Sequence, residues 1–313
     1  MTVLIVNKVQ SSRLNNSQLN NRLAETPFMS KFSHSVNKVK VLIESFSNNL
    51  NCSELPIATN NDTRRDFSNL GIKQVQVEPE IGEARLKHLA DTCKKSDKVV
   101  YLKLPHASEL PQRNRAIAWN VKRSFDWLTA LVILICLSPV MLALAMIISS
   151  TSSGSIFFHQ WRVGEHGRLF RIIKFRTMIS DADKLHHLVM TGQTGLHKCE
   201  DDPRITPVGR WMRKYSLDEL PQLFNVLRGE MSLVGPRPWA LYDALRINGN
   251  GKRRLNSLPG VTGAWQVSAR STMLDLDSVT ECDLSYLRNW NLWSDVKILL
   301  MTVPKVLTGF GAF

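Results

Sequence analysis

Cysteine is scarce and scattered: Cys52, Cys93, Cys136, Cys199 and Cys282 are the only five in 313 residues. Their number is odd and no two form a C-x-x-C pair, so the sequence carries neither a disulfide framework nor a zinc pattern, which fits a reducing compartment. Acidic side chains are also in deficit. Against 27 Asp and Glu stand 40 Lys and Arg, and the net charge of +13 implies anionic partners such as nucleic acid, acidic lipid headgroups or phosphorylated substrates. No repeat is visible. The opening MTVLIVNKVQ has too short an apolar run for a signal-peptide core and no small-residue cleavage pattern, so the bulk of the chain is expected on the cytoplasmic side. With 43% apolar and 21% charged residues, collagen-like, coiled-coil and wholly disordered chains are excluded. The length permits one large domain or two ordinary ones, with a core that needs no staple.

What is present changes in character along the chain. Residues 1–65, rich in Asn and Ser (NNSQLNN, SNNLNC), read as a flexible segment. In residues 66–115, IKQVQVEP and KVVYLKL flank the helical pattern EARLKHLADTCKK, which predicts a small α/β module of unassigned role. Residues 116–150 hold a membrane segment, and residues 151–313 a mainly helical domain with short strands. The whole is a membrane-associated α+β fold.

The membrane segment rests on Leu128–Ile148, an uncharged run. As a straight helix it would reach about 31 Å, roughly a hydrocarbon core. Two features argue against a simple crossing. Pro139 lies near its middle, where a proline removes a backbone donor and collides with the carbonyl four residues back, at a cost of about 3 kcal/mol. Basic residues also flank both ends: Lys122 and Arg123 before, Arg162, Arg168, Arg171, Lys174 and Arg176 after. These predict a re-entrant hairpin of two short helices broken at Ser138-Pro139, with the Ser138 hydroxyl satisfying a freed backbone group. A kinked single span is the alternative.

Downstream, arginines are dense around YSLDELPQLFNVL. An amphipathic helix with Leu220, Leu223, Phe224 and Leu227 starts within it. Either Ser216 caps it and Glu219 closes a capping box, or Pro221 takes the first helical position with the acids just outside. Both put Asp218 and Glu219 near the positive end of a helix, where an anion is stabilised, although acids there commonly do no more than cap. Arg213 precedes Asp218 by five residues, and Arg237 sits in Gly235-Pro236-Arg237-Pro238, whose prolines restrict the backbone. Arginine matches phosphate oxygens bidentately. A carboxylate approaching a phosphate meets repulsion of about 4 kcal/mol per unit pair at contact range. Fixed arginines, or Mg²⁺ held by a carboxylate and phosphate oxygens, must offset it.

Lys122 to Phe313 resembles the bacterial monotopic phosphoglycosyl transferases, also called bacterial sugar transferases, on these pieces: KRSFDW, the Ser138-Pro139 break, FFHQWRVGEHG, KFRTM, DPRITPVGRWMRKYSLDELPQLFNVLRGEMSLVGPRP, PGVTGAWQVSAR, DLSYLRNWNLWSDVKILLMT and the terminal GFGAF. The resemblance implies a two-step reaction in which Asp218 attacks the sugar-bearing phosphate of a UDP-sugar, expels UMP and passes the phosphosugar to undecaprenyl (polyprenyl) phosphate. Glu219 would orient groups or assist proton and metal handling. Arg213 and Arg237 would bind phosphate oxygens, and Lys174 and Arg176 would line the same basic site or else touch the surface. Mg²⁺ is the implied cofactor, with Asp218 as ligand. The implied setting is the cytoplasmic face of a bacterial inner membrane, on anionic lipid, at the start of exopolysaccharide, capsule or O-antigen synthesis; a homo-oligomer is allowed. Trp290, Trp293 and VKILLMTVPKVL read as an interfacial element. Ser152-Ser153-Gly154-Ser155 departs from the family, which often has a proline and glycine pair there, and residues 1–115 lack the extra membrane helices of longer relatives and inherit no role.

Two other classes compete: an inactive scaffold of polysaccharide assembly, and a membrane-anchored nucleic-acid binder. Asp218, Glu219 and Arg237 together weigh against the first. The second lacks any recognisable motif, so no nucleic-acid partner is expected. His186-His187 face different sides of a helix and make a poor metal site, and Asn250-Gly251-Lys252 lacks the spacing of a phosphate loop.

Overall fold

The computed structural model describes residues 3–6, 74–105, 116–182, 202–247, 249, 251–268 and 275–309. His186-His187, Cys52, Cys199 and the Asn/Ser-rich segment beyond residue 6 lie outside them. The chain divides into two compact units, residues 1–103 and 104–313.

In the first unit, the β-branched run Val3–Val6 (β1) is a strand, where a flexible segment was expected. It pairs in parallel with Gln74–Val77 (β2), joined through helix Glu83–Lys95 (α1) to a third parallel strand, Val99–Leu102 (β3). A parallel pair needs such a crossover. Leu86, Leu89, Ala90 and Cys93 form the buried stripe of α1, and Val75, Val77, Val100 and Leu102 the buried face of the sheet.

The second unit is helix-rich with short strands and is organised by one helix, Ala116–Thr151 (α2), long and apolar enough to cross a membrane. It runs unbroken through Pro139, where two short helices were expected. The proline withholds its own donor from Ile135, and Ser138 Oγ donates to that same carbonyl at 2.8 Å. The carbonyl is thus satisfied without ending the helix.

Along α2, Lys122, Asp126, Ala130, Met141, Leu144 and Ile148 are buried on a helical stripe. Val121, Phe125, Leu128, Val132, Ile135, Leu142 and Met146 are exposed on another. Leaving this second stripe in water forfeits on the order of 10 kcal/mol of apolar burial. It is a lipid-facing surface, and it associates the chain with a membrane.

A hairpin follows, Phe157–Val163 (β4) paired antiparallel with Leu169–Phe175 (β5). Then come helices Pro207–Lys214 (α3) and Gln222–Leu227 (α4), strand Ser232–Val234 (β6), helix Leu241–Arg246 (α5), and strand Gly260–Thr262 (β7), which lies parallel to β6. Helices Ala264–Ser268 (α6), Leu276–Arg288 (α7) and Leu292–Thr308 (α8) complete the unit. Ala130 on α2 packs with Phe170, Ile172, Leu223, Val226, Leu233 and Ile298; farther along, Met141, Leu144 and Ile148 pack with Phe175 and Met212. One unit therefore grips both halves of α2.

Two flanking readings are corrected here. Lys122, taken as a basic flank of the membrane segment, is 2% exposed and paired with Asp295 at 2.7 Å. Trp290, taken as interfacial, is 1% exposed: its indole donates to Asp295 Oδ2 at 3.1 Å and packs edge-on against Trp119. Trp293 does stand out from the surface, with Leu300, Val303 and Leu307 on the same stripe of α8.

Candidate active site

Asp218 and Glu219 lie on a single 3₁₀ turn, Leu217–Glu219, between α3 and α4. Neither proposed helix start describes it fully. Ser216 is left-handed (φ 53°) and caps nothing with its side chain, and Glu219 turns away to cations instead of closing a box. Pro221 is the N-cap of α4, so the acids stand just outside that helix. Asn225 fixes α4 to the hairpin by imitating a strand edge: its carbonyl accepts from Ile173 N–H at 3.0 Å and its amide donates to the Arg171 carbonyl at 2.9 Å. This sets the distance between Lys174 on β5 and the carboxylates.

Glu219 Oε1 receives Lys174 Nζ at 2.7 Å and an Arg237 guanidinium nitrogen at 3.0 Å. Asp218, 8% exposed, takes no side-chain hydrogen bond or ion pair among the described residues, although Lys174, Arg213 and Arg237 all lie near enough to act on its charge. Burial raises its carboxyl above the ordinary aspartate value; Lys174 opposes, the Glu219 charge adds, and Arg213 and Arg237 oppose. Burial likewise draws Lys174 below the ordinary lysine value, with Glu219 opposing.

The cations are positioned from separate elements. Arg213, on the last turn of α3, donates from Nε to Thr177 Oγ1 at 2.9 Å. The α3 backbone reaches Thr177 because Gly209 has no side chain; a Cβ there would meet the Thr177 carbonyl oxygen at 2.1 Å. Arg237 follows β6 in a loop interlocked with the β7 loop: Gly235 N–H donates to the Thr262 carbonyl and Gly260 N–H to that of Pro236, each at 2.9 Å. Arg254, itself paired with Asp283 and stacked over Trp239, donates to the Arg237 carbonyl at 2.9 Å.

The structure thus brings together Asp218, Glu219, Arg213, Arg237 and Lys174. It does not bring in Arg176. β5 ends at Phe175, and the Arg176 guanidinium donates instead to Ser152 O and Oγ, at 2.8 and 2.6 Å, in the turn after α2. The Ser152–Ser155 departure from the family is that turn, with Gly154 at φ 110°. Ser138 and Pro139 belong to α2 and not to this cluster.

Sequence reading missed Arg162 on β4 as a site residue: it is a further, half-buried cation whose charge is felt by Lys174 and which lies near enough to feel that of Arg237. Its register partner is Phe170, so it shares a face of the hairpin with Lys174. Thr177 was passed over for its neighbour Arg176.

Among the described residues no group of three or more His, Cys, Asp or Glu is placed to hold a metal. With Glu219 Oε1 engaged by two cations, Asp218 is the carboxylate open to one. That suits a cation such as Mg²⁺ that keeps few protein ligands and takes the rest from phosphate and water.

A buried acid pair with fixed cations around it lies in the same unit as the long apolar helix, an arrangement able to take up an anion. Residues 117–309 match the model of the family described as "Bacterial sugar transferase", and the chain belongs to that family. It is 49% identical over 162 residues to galactosyl transferase CpsE of Streptococcus agalactiae, covering 51% of this chain and 36% of that protein. It is 40% identical over 209 residues to the exopolysaccharide production protein ExoY of Sinorhizobium fredii, covering 64% of this chain and 91% of ExoY. It is 42% identical over 200 residues to undecaprenyl-phosphate galactose phosphotransferase of Salmonella typhimurium, covering 62% of this chain and 42% of that protein. The chain therefore matches less than half of two of these relatives and nearly all of the third.

Proposed function

We propose that the chain transfers a sugar 1-phosphate from a UDP-sugar to undecaprenyl phosphate, as a first step in exopolysaccharide, capsule or O-antigen synthesis. The observation that carries this reading is the contrast within one turn: Glu219 is clamped by Lys174 and Arg237, whereas neighbouring Asp218 is buried near the same cations with no side-chain hydrogen bond or ion pair among the described residues. A carboxylate held by two cations is a poor nucleophile; a bare one is a good one. An Asp218 oxygen attacks the phosphorus that bears the sugar, the bond from that phosphorus to the bridging oxygen breaks, and UMP departs with the electron pair. A phosphate oxygen of undecaprenyl phosphate then attacks the aspartyl phosphosugar, freeing the carboxylate and leaving undecaprenyl diphosphate sugar.

Arg213, Arg237, Lys174 and Arg162 offset the charge of the diphosphate and of the approaching carboxylate. Mg²⁺ held chiefly by substrate phosphate oxygens, with Asp218 giving at most one oxygen and keeping the other for attack, would supply further neutralisation of that charge. Because one unit packs on both halves of α2, from Ala130 to Ile148, the helix suits a monotopic placement, dipping into one face of the bilayer instead of crossing it. On the cytoplasmic face of the inner membrane this sets the site at headgroup depth, where a soluble nucleotide sugar and a lipid phosphate can both reach it.

The Salmonella relative's name supplies the first assay pair, UDP-galactose and undecaprenyl phosphate, with UDP-glucose and UDP-N-acetylhexosamines as the panel. Asp218→Asn is expected to lower UMP release at least about a thousandfold. Sugar-labelled donor without lipid acceptor is expected to label the wild-type chain and not the variant. Unchanged release in Asp218→Asn removes the nucleophile, and release without labelling favours direct transfer.

A further inference from the structure

The start of α2 holds more than a membrane anchor. Lys122 Nζ donates to the Val234 carbonyl at 3.1 Å and pairs with Asp295 at 2.7 Å and Asp126 at 3.4 Å. One residue on, Arg123 donates to the Met231 carbonyl at 3.0 Å. Asp126 Oδ2 accepts from Ser232 Oγ at 2.6 Å. Three side chains within about one helical turn thus hold Met231, Ser232 and Val234, which is strand β6 and the residue before it. The next residue is Gly235, which opens the loop that delivers Arg237 to Glu219. Asp295 is in turn gripped by Tyr286 Oη at 2.6 Å and Trp290 Nε1 at 3.1 Å, from the end of α7 and the turn into α8.

We propose that Lys122, with Arg123 and Asp126, is a positioning residue for Arg237: the membrane helix sets the place of β6 and so of the guanidinium at the site. The inference rests on the reading of Arg237 given above for its catalytic consequence, though not for its structural one. Stability alone gives little reason for such a cluster, because well-packed apolar residues commonly replace buried ion networks at no cost in stability. Directional donors on a buried ammonium supply register instead, and these are aimed at the carbonyl next to the Arg237 loop. A misplacement of about an ångström at a phosphate-binding group is enough to lower a rate substantially.

The test uses the full chain in nanodiscs containing phosphatidylglycerol and compares Lys122→Met with Ser232→Ala, a milder variant that removes no charge but takes away the hydroxyl's bonds to Asp126 Oδ2, to the Val234 carbonyl and from the Val234 N–H. Amide hydrogen exchange over residues 232–240 is expected to rise about tenfold in Lys122→Met and less in Ser232→Ala, with residues 169–175 unchanged. With UDP-galactose as donor, kcat/KM is expected to fall about tenfold in Lys122→Met, and the Lys122→Met/Arg237→Gln double variant to fall no further than Arg237→Gln alone. Unchanged exchange at 232–240, an even rise across residues 104–313, or multiplying kinetic effects would overturn the proposal. If Lys122→Met does not fold, Ser232→Ala decides by the same exchange pattern. A wild-type chain inert toward every UDP-sugar counts against the reading of function, and the exchange result still decides the positioning.

Discussion

Lys122, Asp126 and Asp295 are buried as deeply as Asp218 and Glu219, yet the two clusters are assembled on opposite plans. In the first, each charge meets an opposite charge or a directed hydrogen bond: Lys122 with Asp295 and Val234 O, Asp126 with Ser232, Asp295 with Tyr286 and Trp290. In the second, cations converge from four elements, one acid is clamped, and the other is left bare. A buried charge without partners is costly, and folds keep it where chemistry uses it. Burial of charge therefore does not by itself mark a reactive group. A carboxylate with neither of its oxygens in a hydrogen bond or ion pair among the described residues, set beside several cations, is the better mark.

Neutralising one acid in each cluster should give effects of opposite sign. Asp295→Asn removes the shorter of the two ion pairs of the Lys122 ammonium, leaving Asp126 at 3.4 Å and the Val234 carbonyl, and is expected to cost about 3 kcal/mol, which lowers Tm by about 10 °C in a unit of this size. Asp218→Asn, the variant with the largest loss of turnover, is expected to raise Tm at neutral pH. The folded pKa of Asp218 lies above its ordinary value of 3.8, so the native state binds the extra proton between those two values. Wild-type stability relative to Asp218→Asn therefore falls as pH rises through that window, and the deficit is complete above it. The acid limb of turnover should lie above pH 3.8 for the same reason, because the nucleophile must be ionised. Scanning calorimetry of both variants at several pH values checks the pair; a Tm loss in both would make the clusters alike.

Glu219→Gln probes the clamp itself. It removes the charge that holds Lys174 and Arg237, so both cations lose their anchor while Asp218 stays. Turnover is expected to fall about 10- to 100-fold, with KM rising as phosphate contacts loosen. Steady-state UMP release separates the two constants, and a fall as deep as that of Asp218→Asn would assign the nucleophile's role to the wrong acid of the pair.

The parts of the site that could be read in advance are those whose order along the chain carries the information. DEL beside an arginine-rich helix, and an arginine locked between two prolines, point to acids and arginines gathered in one place before any folding, and the long apolar run points to a membrane. What could not be read depends on register and on partners distant in sequence. Arg162 enters because Arg162 faces Phe170 across the hairpin, a pairing set by the turn at 164–168. Lys122 looks like an ordinary basic flank until Asp295 arrives from the far end of the chain. Trp290 looks interfacial until the same carboxylate takes its indole N–H. Pro139 carries a real penalty, but one hydroxyl one residue away serves the carbonyl it strands, and the helix continues.

Arg176 is the smallest case and the sharpest test of that lesson. The family resemblance puts Lys174 and Arg176 in one basic site or else at the surface, and alternation along a continued strand would keep the two on one face. The alternation stops where β5 stops, at Phe175, and the guanidinium swings to Ser152, against the backbone of Gly154. Arg176→Gln should therefore leave kcat/KM for the UDP-sugar within about twofold, while the loss of two charge-assisted bonds at the end of α2 costs about 1–3 kcal/mol of stability. Lys174→Gln, two residues away, should differ in kinetics, with a large loss of turnover, because its ammonium reaches Glu219 at 2.7 Å within the site. Measuring both variants for UMP release and thermal unfolding separates them; equal kinetic losses would return Arg176 to the site and put the end of β5 in the wrong place.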